Sequence, residues 1–434
     1  MTDTVFALST PPGRSGIAVI RATGPLCGPV CALLAGRLPE PRRATLAHLR
    51  YEAESLDHAL LLWFPAPRSF TGEDMLELHL HGGRAVIDGV SKALLAQGLY
   101  PAGPGDFTRR AFINGKLDLT QAEALADLIE SETVFQRRQA LRQEDGALSR
   151  RVEGWRERLV TALARQEALI DFPDEELPDH LEEDVRQLIG GLIEDITPYL
   201  DDKRCGERLR DGLVVAILGA PNAGKSSLMN ALAGRDVAIV SEHAGTTRDV
   251  LEVHLDLGGY PVTVLDTAGL REAGEGVEAE GIRRALSRAE TADLKLLLFD
   301  AVAWPERDPA SLALSDQRTI EVVSRIDRNP ACDPGGSIGL SVRSGQGMKE
   351  LLGEIERRVA AMLGSGETVL ITRARHRQAL ADCVGALSRA TLATSPDLAG
   401  EELRLAATAL GRIAGRVGVE EVLDLIFGEF CIGK

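Results

Sequence analysis

The side chains best suited to chemistry fall in Gly219-Ala-Pro-Asn-Ala-Gly224-Lys225-Ser226, which fits G-x-x-x-x-G-K-[ST]. Two glycines let backbone N–H groups come close to a polyphosphate, and the helix start beyond them adds further donors. Lys225 is expected to reach the β- and γ-phosphates and Ser226 to ligate Mg²⁺. Gly245-Thr246-Thr247-Arg-Asp249 reads as a mobile loop whose threonine hydroxyl joins the metal when a γ-phosphate is present. Asp266-Thr267-Ala268-Gly269 follows an apolar strand, with Asp266 behind the metal's water shell and Gly269 sensing the γ-phosphate through its N–H. Ser324-Arg325-Ile326-Asp327 follows the strand Ile320–Val323, where a base-reading motif belongs. A carboxylate at Asp327 accepts both N1–H and N2–H₂ of guanine, a donor pair that adenine lacks.

A second set lies early in the chain. Glu77, His79 and His81 share one face of a strand by period two, so a Glu/His/His metal site is conceivable. A hydrogen-bonded structural histidine is the commoner outcome. The six cysteines are scattered without a C-x-x-C pair, which speaks against zinc and for a reducing cytosol.

These residues need elements to hold them. Leu213–Leu218 is an apolar run that reads as a buried parallel strand, and a helix begins at Ser227. Residues 1–117 read as a compact α+β domain, with strands at Thr4–Leu8, Ile17–Arg21, Asp57–Trp63 and Asp74–His81 and a helix over Asp88–Gln97. From Leu119 the pattern turns helical, with Thr120 and Glu123 spaced as a capping box. Helical periodicity continues over Arg137–Ile170 and again over Leu181–Arg204. Arg150, Arg151, Arg156 and Arg158 read as a solvated helix face. Residues 210–366 alternate strand and helix as a doubly wound domain does, and residues 367–434 return to helix. The expected architecture is a helical domain made from 118–209 and 367–434, with the nucleotide domain inserted between.

At 434 residues the chain has room for two or three domains, and 44% hydrophobic and 26% charged residues fit a soluble globular class. Its net charge of −16 means any nucleic-acid contact rests on local basic patches. The start lacks a charged n-region, and no run is apolar for the length of a membrane span, so the expected location is cytoplasmic.

In order and spacing the nucleotide motifs resemble the loops of a Ras-like P-loop GTPase. Ser324 and Arg325 depart from that family's N-K-x-D: the Arg stem still covers the base, but an amide contact is lost. Ser341-Val342-Arg343 stands where the family has S-A-K. Leu270 replaces the glutamine that orients water, so another group must do so, or the protein is a slow switch.

Over its whole length the chain resembles the bacterial tRNA modification GTPases of the MnmE (TrmE) family. The motifs that carry this are Thr10-Pro-Pro-Gly-Arg14, Ser69-Phe-Thr-Gly-Glu-Asp74, His81-Gly-Gly83, Pro104-Gly-Asp-Phe-Thr108, Ala111-Phe-Ile-Asn-Gly-Lys-Leu-Asp-Leu119, Asp171-Phe-Pro-Asp-Glu-Glu176 and Phe430-Cys-Ile-Gly-Lys434. The last formally fits a prenylation box, but Gly433 and a terminal Lys argue against lipidation. The resemblance implies an N-terminal folate-binding and dimerising domain, a discontinuous helical domain and an inserted G domain. It implies that a homodimer, with the FAD-dependent partner MnmG, adds an aminomethyl or carboxymethylaminomethyl group to C5 of the wobble uridine of certain tRNAs. The carbon would come from 5,10-methylene- or 5-formyl-tetrahydrofolate.

The resemblance also assigns residues. GTP contacts fall on Asn222, Ala223, Gly224, Lys225, Ser226 and Ser227, then Ser241, Glu242, His243, Ala244, Gly245, Thr246 and Thr247. They continue on Asp266, Thr267, Ala268 and Gly269, on Ser324, Arg325, Ile326 and Asp327, and on Ser341, Val342 and Arg343. Asn222, Ser241, His243 and Thr246 would hold K⁺ in place of an arginine finger, and Thr247 would join Ser226 on Mg²⁺. Glu278 would orient the attacking water, which answers the question Leu270 raises. Folate contacts map to Arg21, Glu77, Lys116 and Lys434, and Cys431 is a candidate reactive thiol. The alternatives are a regulatory or ribosome-assembly GTPase without modifying activity, and a folate-dependent methyl-transferring enzyme with a nucleotide-sensing insert.

Overall fold

The computed structural model describes residues 3–171, 180–235, 237–239, 252–266, 291–364, 371–417, 420–428, 430 and 432–433. It divides into two compact units, Met1–Ala126, Gln143–Leu192 and Asp382–Lys434 in the first, Asp127–Arg142 and Ile193–Ala381 in the second.

The first unit holds a six-stranded sheet in the order β3-β4-β5-β2-β1-β6. The strands are β1 Val5–Leu8, β2 Ser15–Thr23, β3 Thr45–Tyr51, β4 Glu54–Phe64, β5 Met75–Gly82 and β6 Tyr100–Pro101. All pairs are antiparallel except β1 with β6. One face buries Ile20, Leu49, Leu61 and Leu78 beneath the helices Cys27–Ala35 and Arg84–Ala96. The register sets Ala7 beside Arg21, Arg21 beside Glu77 and Glu77 beside Leu62, so these four cross the opposite face in one row. The second helix begins at Arg84, four residues before the expected Asp88, because Val86 and Ile87 already donate to the Gly83 carbonyl.

The helix Leu119–Glu130 corrects the expected cap. Asp118 is the capping residue: its carboxylate accepts from Gln121 N at 2.9 Å, and Gln121 Oε1 accepts from Asp118 N at 3.0 Å. Thr120 and Glu123 lie inside the helix and are buried. Farther on, Leu148, Val152, Trp155, Leu159 and Ala162 form the buried stripe of the helix Ala147–Asp171. Leu403, Ala406, Leu410 and Ile413 form that of Pro396–Ala414. Spacings of three and four keep each stripe on one face. The two helices pack, with Gln166 donating to the Pro396 carbonyl at 2.9 Å and Arg404 pairing with Glu167 at 2.6 Å. Sequence flanks on either side of the nucleotide motifs thus share one helical layer. The helix Leu181–Leu200 stops short of the expected Arg204, two residues after Pro198.

The second unit is built on a seven-stranded sheet in the order β13-β12-β11-β7-β10-β9-β8. Its strands are β7 Leu213–Gly219, β8 Ala238–Ile239, β9 Glu252–Leu257, β10 Tyr260–Asp266, β11 Leu294–Asp300, β12 Thr319–Ser324 and β13 Ile338–Leu340. The five strands β13, β12, β11, β7 and β10 run parallel, and β9 turns back antiparallel on β10. β10 is buried throughout and β11 nearly so, as strands covered on both faces should be. No helix among the described residues is long and apolar enough to cross a membrane.

Candidate functional site

β7 delivers the chain into the phosphate loop at Gly219, whose φ is 144°. A Cβ there would sit 2.5 Å from the Leu298 carbonyl oxygen, so only glycine fits. Gly224, at φ 93°, caps the helix Lys225–Ala233. Lys225 is 7% exposed, and its ammonium donates to the Gly219 and Ala220 carbonyls at 2.9 and 2.8 Å. The charge therefore sits inside the loop that would hold an anion. Ser226 donates to Asp266 Oδ2 at 2.9 Å. Asp266 ends β10 next to β7 and is 1% exposed. A hydroxyl and a carboxylate converging at a helix start are hard oxygen donors of the kind Mg²⁺ takes.

The stretch Ser324–Asp327 is tied directly to this loop. Ser324, 4% exposed, donates its hydroxyl to the Ala223 carbonyl at 2.6 Å and lies 3.1 Å from the Phe299 carbonyl. Ser324 thus makes a hydrogen bond of its own within the protein, at the position where the family's asparagine stands. Arg325 adopts a left-handed φ of 59°, and its guanidinium pairs with Asp300 at 3.0 Å. Asp327 lies in the short 3₁₀ turn Ile326–Arg328 and accepts the Ser341 hydroxyl at 2.7 Å. That bond, with Arg343 and Arg328 nearby, holds the Asp327 carboxyl below its ordinary range. Ile326 is packed with Ala301 and Val323, and Val342 against the main core, which fixes both motifs from below.

In the first unit Arg21 and Glu77 face each other across β2 and β5. Arg21 Nη2 and Nε lie 2.8 and 3.1 Å from Glu77 Oε1, and the guanidinium stands 5.9 Å above the Phe107 ring. His79 Nε2 is 3.3 Å from the other Glu77 oxygen. His81 turns instead to Asp57, at 2.7 Å. Burial pushes the Asp57 carboxyl up, but hydrogen bonds from His81 and His58 outweigh it and hold the group below its ordinary range. Among the described residues no cluster of three His, Cys, Asp or Glu side chains is placed to hold a metal. Lys116 is exposed beside Gly72. The nearly buried Arg110 pairs with Glu73 at 2.8 Å, and Asn114 donates to the Thr71 carbonyl at 2.7 Å. Together they fasten the segment Ser69–Asp74, and no spacing in the sequence announces either. The tail closes the same region: Ser9 donates to the Gly433 carbonyl at 3.0 Å and Ile432 bridges to Pro104.

Comparison with known proteins bears on both sites. The family model for the GTP-binding protein TrmE N-terminus matches residues 4–116, and that for the MnmE helical domain matches residues 119–431. The chain belongs to the MnmE family. It is 54% identical over 441 residues to the tRNA modification GTPase MnmE of Paramagnetospirillum magneticum, covering 100% of both chains. The protein of the same name in Rhodospirillum rubrum is 51% identical over 455 residues, covering 100% of this chain and 99% of that one. That of Parvibaculum lavamentivorans is 53% identical over 440 residues, covering 100% of both.

Of the residues the MnmE resemblance assigns, the structure gathers Ala223, Gly224, Lys225, Ser226, Asp266, Ser324 and Arg325 around one loop, with Asp327 and Ser341 bonded beyond them. Asn222 lies on the exposed crest of the loop at φ 63°. Arg21 and Glu77 form a pair, while Lys116 has no ion pair with them. Ser241, Glu242, His243, Ala244, Gly245, Thr246, Thr247, Thr267, Ala268, Gly269, Glu278, Cys431 and Lys434 lie outside the described residues. The Ser324–Ala223 bond is the connection that sequence reasoning missed. It joins residues 101 positions apart, and only the parallel pairing of β12, β11 and β7 brings them together.

Proposed function

We propose that the protein is a GTP hydrolase acting in tRNA modification. The observation that carries this is the phosphate loop itself: a buried Lys225, a Ser226–Asp266 oxygen pair, Ser324 tied to the loop at Ala223, and Asp327 held by Ser341 as the base-reading carboxylate. Family membership over the full chain supports the same reading. Lys225 leaves its two loop carbonyls for the β- and γ-phosphates when nucleotide enters. Ser226 and Thr247 would hold Mg²⁺, with Asp266 behind its water shell, and a metal bound there would supply charge neutralisation at the phosphate oxygens. Glu278 would orient the attacking water, and Asn222, Ser241, His243 and Thr246 would hold a K⁺ ion that supplies positive charge in place of an arginine finger. Asp327 accepts the two guanine donors.

The finer reading extends to the first unit. Glu77, partly buried beside Arg21 and His79, offers a carboxylate to the N–H edge of a pterin, and Arg21, Lys116 and Lys434 offer cations to a folate's glutamate. The bound tetrahydrofolate would supply a one-carbon unit. A homodimer working in the cytoplasm with FAD-dependent MnmG would add the aminomethyl or carboxymethylaminomethyl group to the wobble uridine, with Cys431 as a candidate thiol.

Two measurements test this. GTP hydrolysis should be supported by K⁺ and not by Na⁺, and equal turnover in both salts removes the K⁺ assignment. Mass spectrometry of tRNA from cells lacking the protein should show unmodified wobble uridine. Unchanged tRNA favours the regulatory or ribosome-assembly reading.

A further inference from the structure

Positive charge is distributed unevenly along this acidic chain. Residues 10–50 hold six arginines, no lysine and one acid, Glu40, for a net +5 in a protein of net −16. Arg21 is taken by Glu77. Arg37, Arg42 and Arg43 lie together on the loop between the helix Cys27–Ala35 and β3, all exposed. The loop is stiff, since Pro39 and Pro41 fix its backbone. Arg37 and Arg43 border a concavity of about 410 Å³, with Leu38, Glu40 and Leu46 in the same wall. Arg42 donates to the backbone carbonyl of Arg68, itself an exposed residue, which ties the loop to that neighbouring segment. The one acid nearby, Glu40, pairs with Arg43 at 2.8 Å, both side chains more than 70% exposed. Such a pair is weak and readily exchanged. Among the described residues Arg37 has no acidic partner.

We propose that this arginine loop and the adjoining edge of β3 form a phosphodiester-binding surface for the RNA substrate. The proposal rests on the tRNA reading above and names the face that such a substrate would use. Guanidinium groups suit it because each presents a planar fork to phosphate oxygens. The exposed Leu38 and Leu46, 43% and 72%, give apolar ground beside the charges for a sugar or base. A flat field of lysines would attract any polyanion, whereas arginines around a stiff, partly apolar hollow fit a polymer of alternating phosphate and ring.

The test is equilibrium binding of an unmodified tRNA transcript to the full chain, with GDP held constant, across a KCl series. Each lost phosphate contact lowers the slope of log affinity against log salt by about 0.7 to 0.9. The triple change Arg37→Gln, Arg42→Gln, Arg43→Gln should therefore flatten the slope by about 2 and weaken binding at least tenfold in low salt. The matching Lys triple should keep the slope, and GTP hydrolysis should be unchanged in both. An unchanged slope in the Gln triple overturns the surface while leaving tRNA binding intact. No tRNA binding by the unaltered protein sinks the tRNA reading itself. Competition by polyglutamate as strong as by an RNA of equal charge assigns the loop to acidic peptides and also overturns the proposal.

Discussion

Ser341 and Asp327 set how the proposed base-reading site should respond to acid. The hydroxyl bond holds the Asp327 carboxyl below its ordinary range, so the ionised form outlasts that of a free aspartate as pH falls. If guanine binds through this carboxylate as proposed, binding should be present above the ordinary range and lost only as pH drops through the lower, native value. Ser341→Ala removes the bond, so GDP affinity should fail at a higher pH than in the unaltered protein, and superimposable profiles would show the hydroxyl is not responsible. Ser324→Ala strips the donor from the Ala223 carbonyl. An unpaired buried acceptor costs about 1–3 kcal/mol, so nucleotide affinity should drop roughly tenfold, read by fluorescent GDP titration. In the first unit, Arg21→Ala and Glu77→Ala should each weaken 5-formyltetrahydrofolate binding, and titrations matching the unaltered protein would remove both from the proposed folate site. The phosphate loop was legible at this scale because its glycines and lysine are demanded by local geometry. The Ser324 tether was not, since a hydroxyl's partner depends on which strands end side by side.

Arg377 shows the same logic at the scale of elements. It sits near the start of the helix Ala374–Leu392 and reaches the end of another, Leu181–Leu200, donating to the Tyr199 and Leu200 carbonyls at 3.3 and 2.8 Å. It also grips Glu207 at 2.7 Å and Asp202 at 2.6 Å. A cation thus caps open carbonyls at a helix C-terminus, where the dipole favours it. Burial raises the Glu207 carboxyl, but Arg377 outweighs it and brings the group below its ordinary range. This contribution to stability is present above the ordinary glutamate range and lost as pH falls through the depressed value. Arg377→Gln should make the unfolding midpoint lower at neutral pH and less sensitive to acid, whereas an unchanged pH dependence would place the sensitivity elsewhere. The stretch expected to be helical over Arg137–Ile170 is broken between Glu144 and Ala147, whereas the strands at Val5–Leu8, Glu54–Phe64, Met75–Gly82 and Leu213–Gly219 and the helices Leu181–Leu200 and Pro396–Ala414 followed from hydrophobic periodicity. β3, the helix Cys27–Ala35 and the helix Asp106–Ile113 escaped it, because short elements packed by neighbours need no clear period of their own. The cap at Asp118 was misread by two residues for a related reason: Asp-x-x-Gln and Thr-x-x-Glu overlap there, and burial of Thr120 and Glu123 decides between them.

For the whole molecule, the pairing of Ala147–Asp171 with Pro396–Ala414 has a consequence in time. Gln166 and Pro396 are 230 positions apart, and the nucleotide motifs lie between them. A ribosome adding about 5–20 residues per second needs roughly 10–50 s to make that stretch. The earlier helix must wait that long with Gln166 and Ile170 uncovered, while the strands around the phosphate loop are already complete. A chain cut after Ala381 should therefore bind GDP yet expose the Ala147–Asp171 stripe to protease, and equal protection in the cut and full chains would deny the dependence. Newborn copies of this protein would then be nucleotide-competent before their helical layer has closed, which makes the interval between the two events the window in which a chaperone has something to hold.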